Sequence, residues 1–352
     1  MISIVGAGPS GSYLAYLLAQ YGEDVHVFEE HREIGNPIQC TGLVTHAITR
    51  LIDVKKEFLV NTISRIKVIA PNGEQVEFSL KRPDFVFHRA RFDQHIARMA
   101  QEAGAVFHLS KKFVGFHKNT VTFGDGSMFT TDSLVGADGP LSPVAKSAGM
   151  FHQRSFMTGL QARAQGSFDA DCFVVYLGKG YFGWSVPENS RFSRIGVIVT
   201  GDHPQSYFDS VLRRERARII EYQSGLIPVY QSGISCQKEN VFLLGDAATQ
   251  CKASTHGGII QGMFAAIALK DALLHRRNYD RLWRKKLGRD LYVHLKIREK
   301  LDGMTDERLN YLVKLVQKEK IKNVLETYER DYAFKIIAKI LLKEPRFLRF
   351  LI

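Results

Sequence analysis

Apolar residues in this chain fall in short blocks whose spacing alternates between two periods. Ile2, Ser3, Ile4 and Val5 form a compact run, and Leu14, Leu17, Leu18 and Tyr21 follow at i, i+3, i+4, i+7. The first block reads as a buried strand and the second as a helix. Gly22 closes that helix where a left-handed backbone is needed. Val25, Val27 and Phe28 then make a second strand, and residues 30–45 carry no periodicity. Residues 62–70 and 74–80 flank Pro71-Asn72-Gly73 and predict a hairpin. A helix is expected to open near Arg89, run through Glu102 and stop at Gly104. Short strands are expected at 105–108, 113–116, 120–123, 128–131 and 133–137, then at 158–165, 172–177 and 193–200. A helix is predicted over 204–223, a strand over 241–244, a helix over 259–274 and a basic helical tail over 279–352.

Between the first strand and the first helix lies Gly6-Ala7-Gly8-Pro9-Ser10-Gly11, and Glu29 ends the second strand 18 residues beyond Gly11. This is a βαβ dinucleotide fingerprint. Gly6 allows the tight turn, Gly8 lets the backbone approach a pyrophosphate, Gly11 lets helix and strand pack, and Glu29 can bond a ribose hydroxyl. The pyrophosphate would rest on the free N–H groups of the helix N-terminus. Gly178-Lys179-Gly180-Tyr181-Phe182-Gly183 repeats the glycine spacing after a strand-like run. Trp184-Ser185-Val186-Pro187 follows it, and a proline there argues for extended chain. One dinucleotide site is therefore expected.

At 352 residues the chain has room for two or three domains. No apolar run approaches the ~18 residues of a bilayer span. The opening strand is part of the fold, so no cleaved signal peptide is read there. Cys40, Cys172, Cys236 and Cys251 are too scattered for a disulfide framework or a zinc site, and a cytoplasmic location is expected. The net charge of +12 admits an acidic partner or an anionic surface. Arg276-Arg277 and Arg284-Lys285-Lys286 lack interleaved aromatics for base stacking, so no nucleic-acid partner is expected.

Two further motifs come in order after the fingerprint: Asp138-Gly139-Pro140-Leu141-Ser142-Pro143-Val144 and Gly245-Asp246-Ala247-Ala248, each after an apolar strand. Together the three resemble the FAD-binding signature of the p-hydroxybenzoate hydroxylase-like flavoproteins. Residues 85–93, the loop Gly35 to Gly42 with Cys40, the stretch 180–187 and Thr255-His256-Gly257-Gly258-Ile259 are similar to segments of the geranylgeranyl reductase family. The resemblance spans about residues 1–275. It implies an α/β fold: a Rossmann-like FAD-binding domain (1–60, 84–150 and 238–278), an antiparallel-sheet substrate domain (61–83 and 151–237) and C-terminal helices (279–352). It assigns FAD contacts to Gly6, Gly8, Ser10, Gly11, Glu29, Cys40, Thr41, Gly42, Arg89, Asp246, Gly258 and Ile259, with Val114 as backbone beside the adenine. Val186 replaces the family's usual phenylalanine, and Cys251-Lys252-Ala253 replaces a proline-containing approach to the glycine pair.

The implied activity is reduction of carbon–carbon double bonds in isoprenoid chains of lipid precursors. Such a chain offers no polar handle, so an apolar wall from Tyr181, Phe182 and Trp184 is expected. For the proton, Cys40 and His256 lie nearest in the motif map, with water or flavin as equal alternatives. The electron donor is NAD(P)H or a reduced ferredoxin, and no metal site is read. The rival readings are a flavin monooxygenase acting on an apolar substrate and a membrane-associated electron-transfer flavoprotein. No WxWxIP element of a flavin halogenase is present. The tail admits two readings, peripheral membrane contact or a helix packed against its own catalytic domain: Ala333, Ile336, Ile337, Ile340 and Leu341 share one helical face, beside Lys335, Lys339 and Lys343, with Phe347, Leu348, Phe350 and Leu351 beyond.

Overall fold

The computed structural model describes residues 1–199 and 203–350, which divide into two compact units. Unit 1 comprises Met1–Ile38, Arg89–Ser155 and Pro228–Tyr292. Its six-stranded sheet runs Gln237–Lys238, Val241–Leu243, Ser133–Gly136, Ile2–Val5, Val25–Phe28, Val106–His108. All neighbours pair in parallel except the outermost Gln237–Lys238. The central strand Ile2–Val5 is buried along its whole length, as expected for a parallel strand covered on both faces. Helix Pro9–Ala19 packs against both Arg89–Glu102 and Ile259–His275. A three-stranded sheet, Phe113–His117, Thr120–Phe123 and Met128–Thr130, meets Phe28 through Phe123 and Phe129, with ring centroids 4.5 and 4.8 Å away.

Unit 2 comprises Gln39–His88, Phe156–Ile227 and Val293–Ile352. Its eight-stranded sheet is ordered Arg218–Pro228, Phe156–Gln165, Phe192–Val199, Tyr181–Pro187, Cys172–Gly178, Leu59–Ile69, Gln75–Phe87, Leu43–Val44. The pairing of Cys172–Gly178 with Leu59–Ile69 is parallel, whereas the pairings from Phe156–Gln165 to Cys172–Gly178 and from Leu59–Ile69 to Leu43–Val44 are antiparallel. Helix Gln205–Glu215 covers one face, seating Phe208 and Val211 on Ala162, Ala164, Ile195 and Val197. Helices Asp306–Val316, Glu319–Thr327 and Ala333–Lys343 enclose a separate cluster of Leu309, Leu315, Ile321, Val324, Ile336 and Ile340. Val313 carries this layer onto the hairpin at Ala70 and Val76.

Several expectations need correction. The helix predicted over 204–223 stops at Glu215, where Arg216 turns left-handed, and Arg218–Pro228 is an edge strand. No glycine or proline marks that stop, and the β-branched pair Ile219-Ile220 prefers the sheet. The first helix buries Gly11, Ser12, Tyr13, Leu14, Ala15, Leu18 and Ala19, while Leu17 is half-buried and Tyr21 is 64% exposed. Small residues make up more than half of that set, and two helices press on this one. The loop 30–45 contains the short strand Leu43–Val44, whose pairing with Phe85 and Val86 draws residues 39–60 and 84–88 into unit 2. Residues 151–155 and 228–237 fall in unit 1, and the tail from Val293 belongs to unit 2 rather than standing alone. Thr200 and Leu351, assigned to a strand and to the tail, lie outside the described residues.

In the tail, Ala333, Ile336 and Ile340 are buried among the chain's own helices, the second of the two readings, whereas Leu342 is 79% exposed between Lys339 and Lys343. Among the described residues no helix is long and apolar enough to cross a membrane. Ile336→Ala should therefore cost about 2–4 kcal/mol of stability through the cavity it leaves. Leu342→Ser should change it by no more than about 0.5 kcal/mol. Urea unfolding of both variants checks this; equal, small effects would mean that the Ile336 face is not packed.

Candidate functional site

The dinucleotide cradle of unit 1 is set by backbone clearances. A β-carbon on Gly6 (φ +103°) would lie 2.3 Å from the carbonyl oxygen of Ala137, and one on Gly11 2.1 Å from that of Gly6. No larger residue fits at either position. At Gly8, by contrast, nothing lies within 4 Å of that point. The fingerprint's first and third glycines are filled by the fold, and its second faces open space, as a phosphate-binding turn requires. Pro9 occupies the first helical turn, where its missing N–H costs nothing.

Glu29 closes this turn. One carboxylate oxygen accepts the N–H of Ala7 at 2.8 Å, and the other accepts the N–H of His31 at 3.0 Å and meets its ring at 2.6 Å. A carboxylate has room for about four acceptances, so ribose hydroxyls can still join it. The Ser10 side chain packs inside the fold. Its Oγ lies 2.0 Å from where a β-carbon on Gly262 would be and 2.8 Å from the same point on Gly245. The side chain thus fills a helix crossing, which leaves its backbone N–H as the group available to a ligand.

The Gly-Asp motif forms the turn Gly245–Ala248, with Gly245 at φ +65°. Asp246 Oδ1 would be 2.8 Å from a β-carbon on Gly258, so the carboxylate and the N-cap of helix Ile259–His275 are neighbours. Burial pushes the Asp246 carboxyl above its ordinary range, and the charge of Arg89 opposes that shift. Arg89 itself holds Asp93 with contacts of 2.9 and 3.2 Å, both side chains largely buried. Gln250, which no motif singles out, fixes the turn: its Oε1 accepts the Gly245 N–H at 2.9 Å while Nε2 donates to Tyr279 Oη at 3.0 Å. Lys252, in the stretch that departs from the family's approach to the glycine pair, is buried beside Gly257. His256 sits in the same loop at φ +58° and donates its backbone N–H to Lys252. Val114 is exposed on the three-stranded sheet.

Asp138 has a structural task. It accepts Ser142 Oγ at 2.6 Å and the Val144 N–H at 2.9 Å, capping helix Pro143–Ser147. Burial nevertheless pushes its pKa up to about 6.

The remaining expected residues belong to unit 2. Strand alternation separates the three aromatics of Tyr181–Pro187. Tyr181 packs on the helix-covered face, 4.7 Å from Tyr207, while Phe182 and Trp184 point to the other face, their rings 6.1 Å apart. The single wall expected of all three is thus reduced to Phe182 and Trp184. Cys40, Thr41 and Gly42 are bound to the Phe182 and Trp184 side of the sheet, where Thr41 meets Gln161, the partner of Trp184. Cys40 Sγ accepts the Gly42 N–H at 3.3 Å. Among the described residues no cluster could hold a metal.

A Rossmann-like dinucleotide unit combined with a mostly antiparallel sheet unit defines the class of fold. Comparison with known proteins agrees. Residues 4–41 match the family model of an NAD(P)-binding Rossmann-like domain. Digeranylgeranylglycerophospholipid reductase of Methanothrix thermoacetophila is 27% identical over 92% of this chain and 93% of its own length. The reductase of that name from Methanocella arvoryzae is 26% identical over 100% of this chain and 98% of its own. A geranylgeranyl bacteriochlorophyll reductase-like protein from Thermoplasma acidophilum superposes with a TM-score of 0.87 at 22% identity, covering 100% of this chain and 98% of that one. A flavin-dependent brominase follows at 0.75 and 15%.

Asp138 generates a pH prediction. Its folded pKa lies above the unfolded value of 3.8, so the native state holds the proton more tightly. Its contribution to stability is then present below pH ~4 and is lost as pH rises through about 6. Asp138→Asn should remove this dependence, a change of up to ~3 kcal/mol between pH 4 and 7 by chemical denaturation. Parallel pH profiles for both proteins would refute it.

Proposed function

We propose that this chain is an FAD-dependent oxidoreductase that reduces carbon–carbon double bonds in the geranylgeranyl chains of membrane-lipid precursors. One conjunction supports the reading: an open dinucleotide cradle at Gly8, in a chain that aligns over nearly all its length with relatives named digeranylgeranylglycerophospholipid reductase. FAD, when bound and reduced, supplies the hydride for one alkene carbon. The residues of the chain do the rest. The N–H groups opening helix Pro9–Ala19 bind the diphosphate, Glu29 the ribose and Asp246 a ribityl hydroxyl. Helix Ile259–His275 presents its N-terminus to the pyrimidine end, where its dipole favours the negative charge of the reduced ring. Phe182 and Trp184 give the isoprenoid an apolar wall. Cys40 and His256 are the candidates to deliver the proton, and NAD(P)H or a reduced ferredoxin supplies the electrons.

The purified protein should be yellow, with about one releasable FAD per chain. Asp246→Asn should weaken flavin affinity about 10–100-fold, the loss of a charge-assisted hydrogen bond. Reduced with dithionite under anaerobic conditions, the wild type should saturate a geranylgeranyl lipid by the mass of added hydrogen. A colourless protein that ignores added FAD would end the reading. Oxygen from dioxygen in the product would convert it to a monooxygenase.

Peripheral membrane contact is proposed through the outward face of helix Ala333–Lys343, where Lys335, Lys339, Leu342 and Lys343 meet solvent. Co-sedimentation with anionic vesicles should fall when Lys339 and Lys343 are changed to Glu and when salt is raised. Sedimentation unaffected by either would place any lipid contact elsewhere.

A further inference from the structure

One row of three residues crosses three adjacent strands of unit 2. Gln161 pairs with Gly196, and Gly196 with Trp184. The outer two are separated by two strand spacings, about 10 Å. Their side chains nevertheless meet, because Gly196 between them has no side chain. The indole lies over its backbone, and a β-carbon there would be 2.3 Å from Cζ2. Trp184 Nε1 donates to Gln161 Oε1 at 3.1 Å. Thr41 Oγ1 donates to the same oxygen at 2.5 Å, and Gln161 Nε2 donates to Gln223 Oε1 at 2.7 Å. An indole N–H can only donate, so the amide orientation is forced. Gln161 is 5% exposed and Trp184 7%.

The loop has a second anchor on the same face. Arg194 Nη1 donates to the carbonyls of Thr41 and Phe87, and Arg194 Nε to Glu188 at 2.9 Å. The Phe87 N–H in turn meets the Gly42 carbonyl at 2.9 Å, and a β-carbon on Gly225 would be 3.4 Å from the Gln39 carbonyl oxygen. Arg194 reaches the loop only at a backbone carbonyl, whereas Gln161 joins it to a side chain assigned to the substrate.

We propose that Gln161 is a positioning residue: it locks the Cys40–Thr41–Gly42 loop to the indole of Trp184 across Gly196. A displacement of Trp184, as on filling of the apolar face, is thereby transmitted to the loop through one shared oxygen. The role in turnover rests on the function proposed above. The lock itself does not, because it can be read in the full chain with or without FAD.

The test uses thiol reactivity and indole emission. Cys172, Cys236 and Cys251 are buried and Cys40 is partly exposed, so an aromatic disulfide reagent reports on Cys40. Trp283, fully buried in unit 1, contributes a constant background to emission. In Gln161→Leu the Cys40 rate should rise about tenfold, as for one lost buried hydrogen bond, and the Trp184 emission should shift. Gln161→Glu, which keeps an acceptor oxygen, should restore both towards wild type, which a purely packing role would not. Thr41→Val removes only the hydroxyl donor and should free Cys40 with little change in emission. It remains informative if Gln161→Leu fails to fold. Unchanged Cys40 rates in Thr41→Val, or in a folded Gln161→Leu, would overturn the proposal. A wild type that binds no FAD would instead remove the function and leave the lock standing.

Discussion

The constraint on which unit 1 depends is the near-contact of three backbone segments at Gly6, Gly11 and Ala137. The missing β-carbons at the two glycines leave just enough room for the carbonyl oxygens of Ala137 and Gly6. That clearance lets helix Pro9–Ala19 settle against the strands Ile2–Val5 and Ser133–Gly136, and so aims its N-terminus into the opening at Gly8. Further close approaches continue the theme. Ser10 fits against Gly245 and Gly262, and Asp246 against Gly258, so the Gly-Asp turn and the late helix share the same packing centre. A binding site for a long dinucleotide is thus assembled from distant stretches of chain by steric exclusion, before any polar contact with a ligand is counted.

Much of this was legible in the sequence because glycine and proline carry absolute local meanings. Pro187 after the second glycine triplet excluded a helix there, and the strand Tyr181–Pro187 bears that out. Asn72-Gly73 marked the hairpin between Leu59–Ile69 and Gln75–Phe87. Where no such residue stands, reading fails. Arg216 adopts a left-handed conformation that glycine would have announced, so the helix after Pro204 was drawn through a strand. Tyr21 was counted with the core because helical spacing registers apolar character and not size. The face that packs carries Gly11, Ala15 and Ala19 instead. The tail leaves two readings open for a related reason. An amphipathic helix with a lysine stripe has the same pattern whether its apolar side meets lipid or its own neighbours, and here Ile336 and Ile340 meet their neighbours.

The site divides along the same line. Glycines and acids at motif spacing were visible, but the amides that hold them were not. Gln250 and Gln161 are neutral and belong to no motif, and the fold alone brings Gln250 to Tyr279 and Gln161 to Thr41. Alternation along a strand could have separated Tyr181 from Phe182 and Trp184, since period two was available from the sequence alone. What it could not reveal was which face the helix Gln205–Glu215 would cover.

The face of unit 2 that carries Phe182 and Trp184 also carries an ion cluster centred on the buried Glu188. Glu188 is shared by Arg194 and Arg163 at 2.9 and 2.7 Å. Burial opposes its ionisation, yet the two guanidinium groups hold its carboxyl below the ordinary range. Buried pairs of this kind contribute little net stability, because desolvation offsets most of the attraction. Their value is geometric. A guanidinium offers fixed donor directions, and here one group reaches the Thr41 and Phe87 carbonyls while its Nε stays on Glu188. A hydrophobic replacement could fill the space and keep the fold, but it could not hold a loop carbonyl at a set point. The charged cluster and the Gln161 amide thus fix the Cys40 loop by direction rather than by contact area. An isoprenoid on this face, as proposed above, would bring no polar atoms to orient the loop, so such directional anchors would have to come from the protein itself.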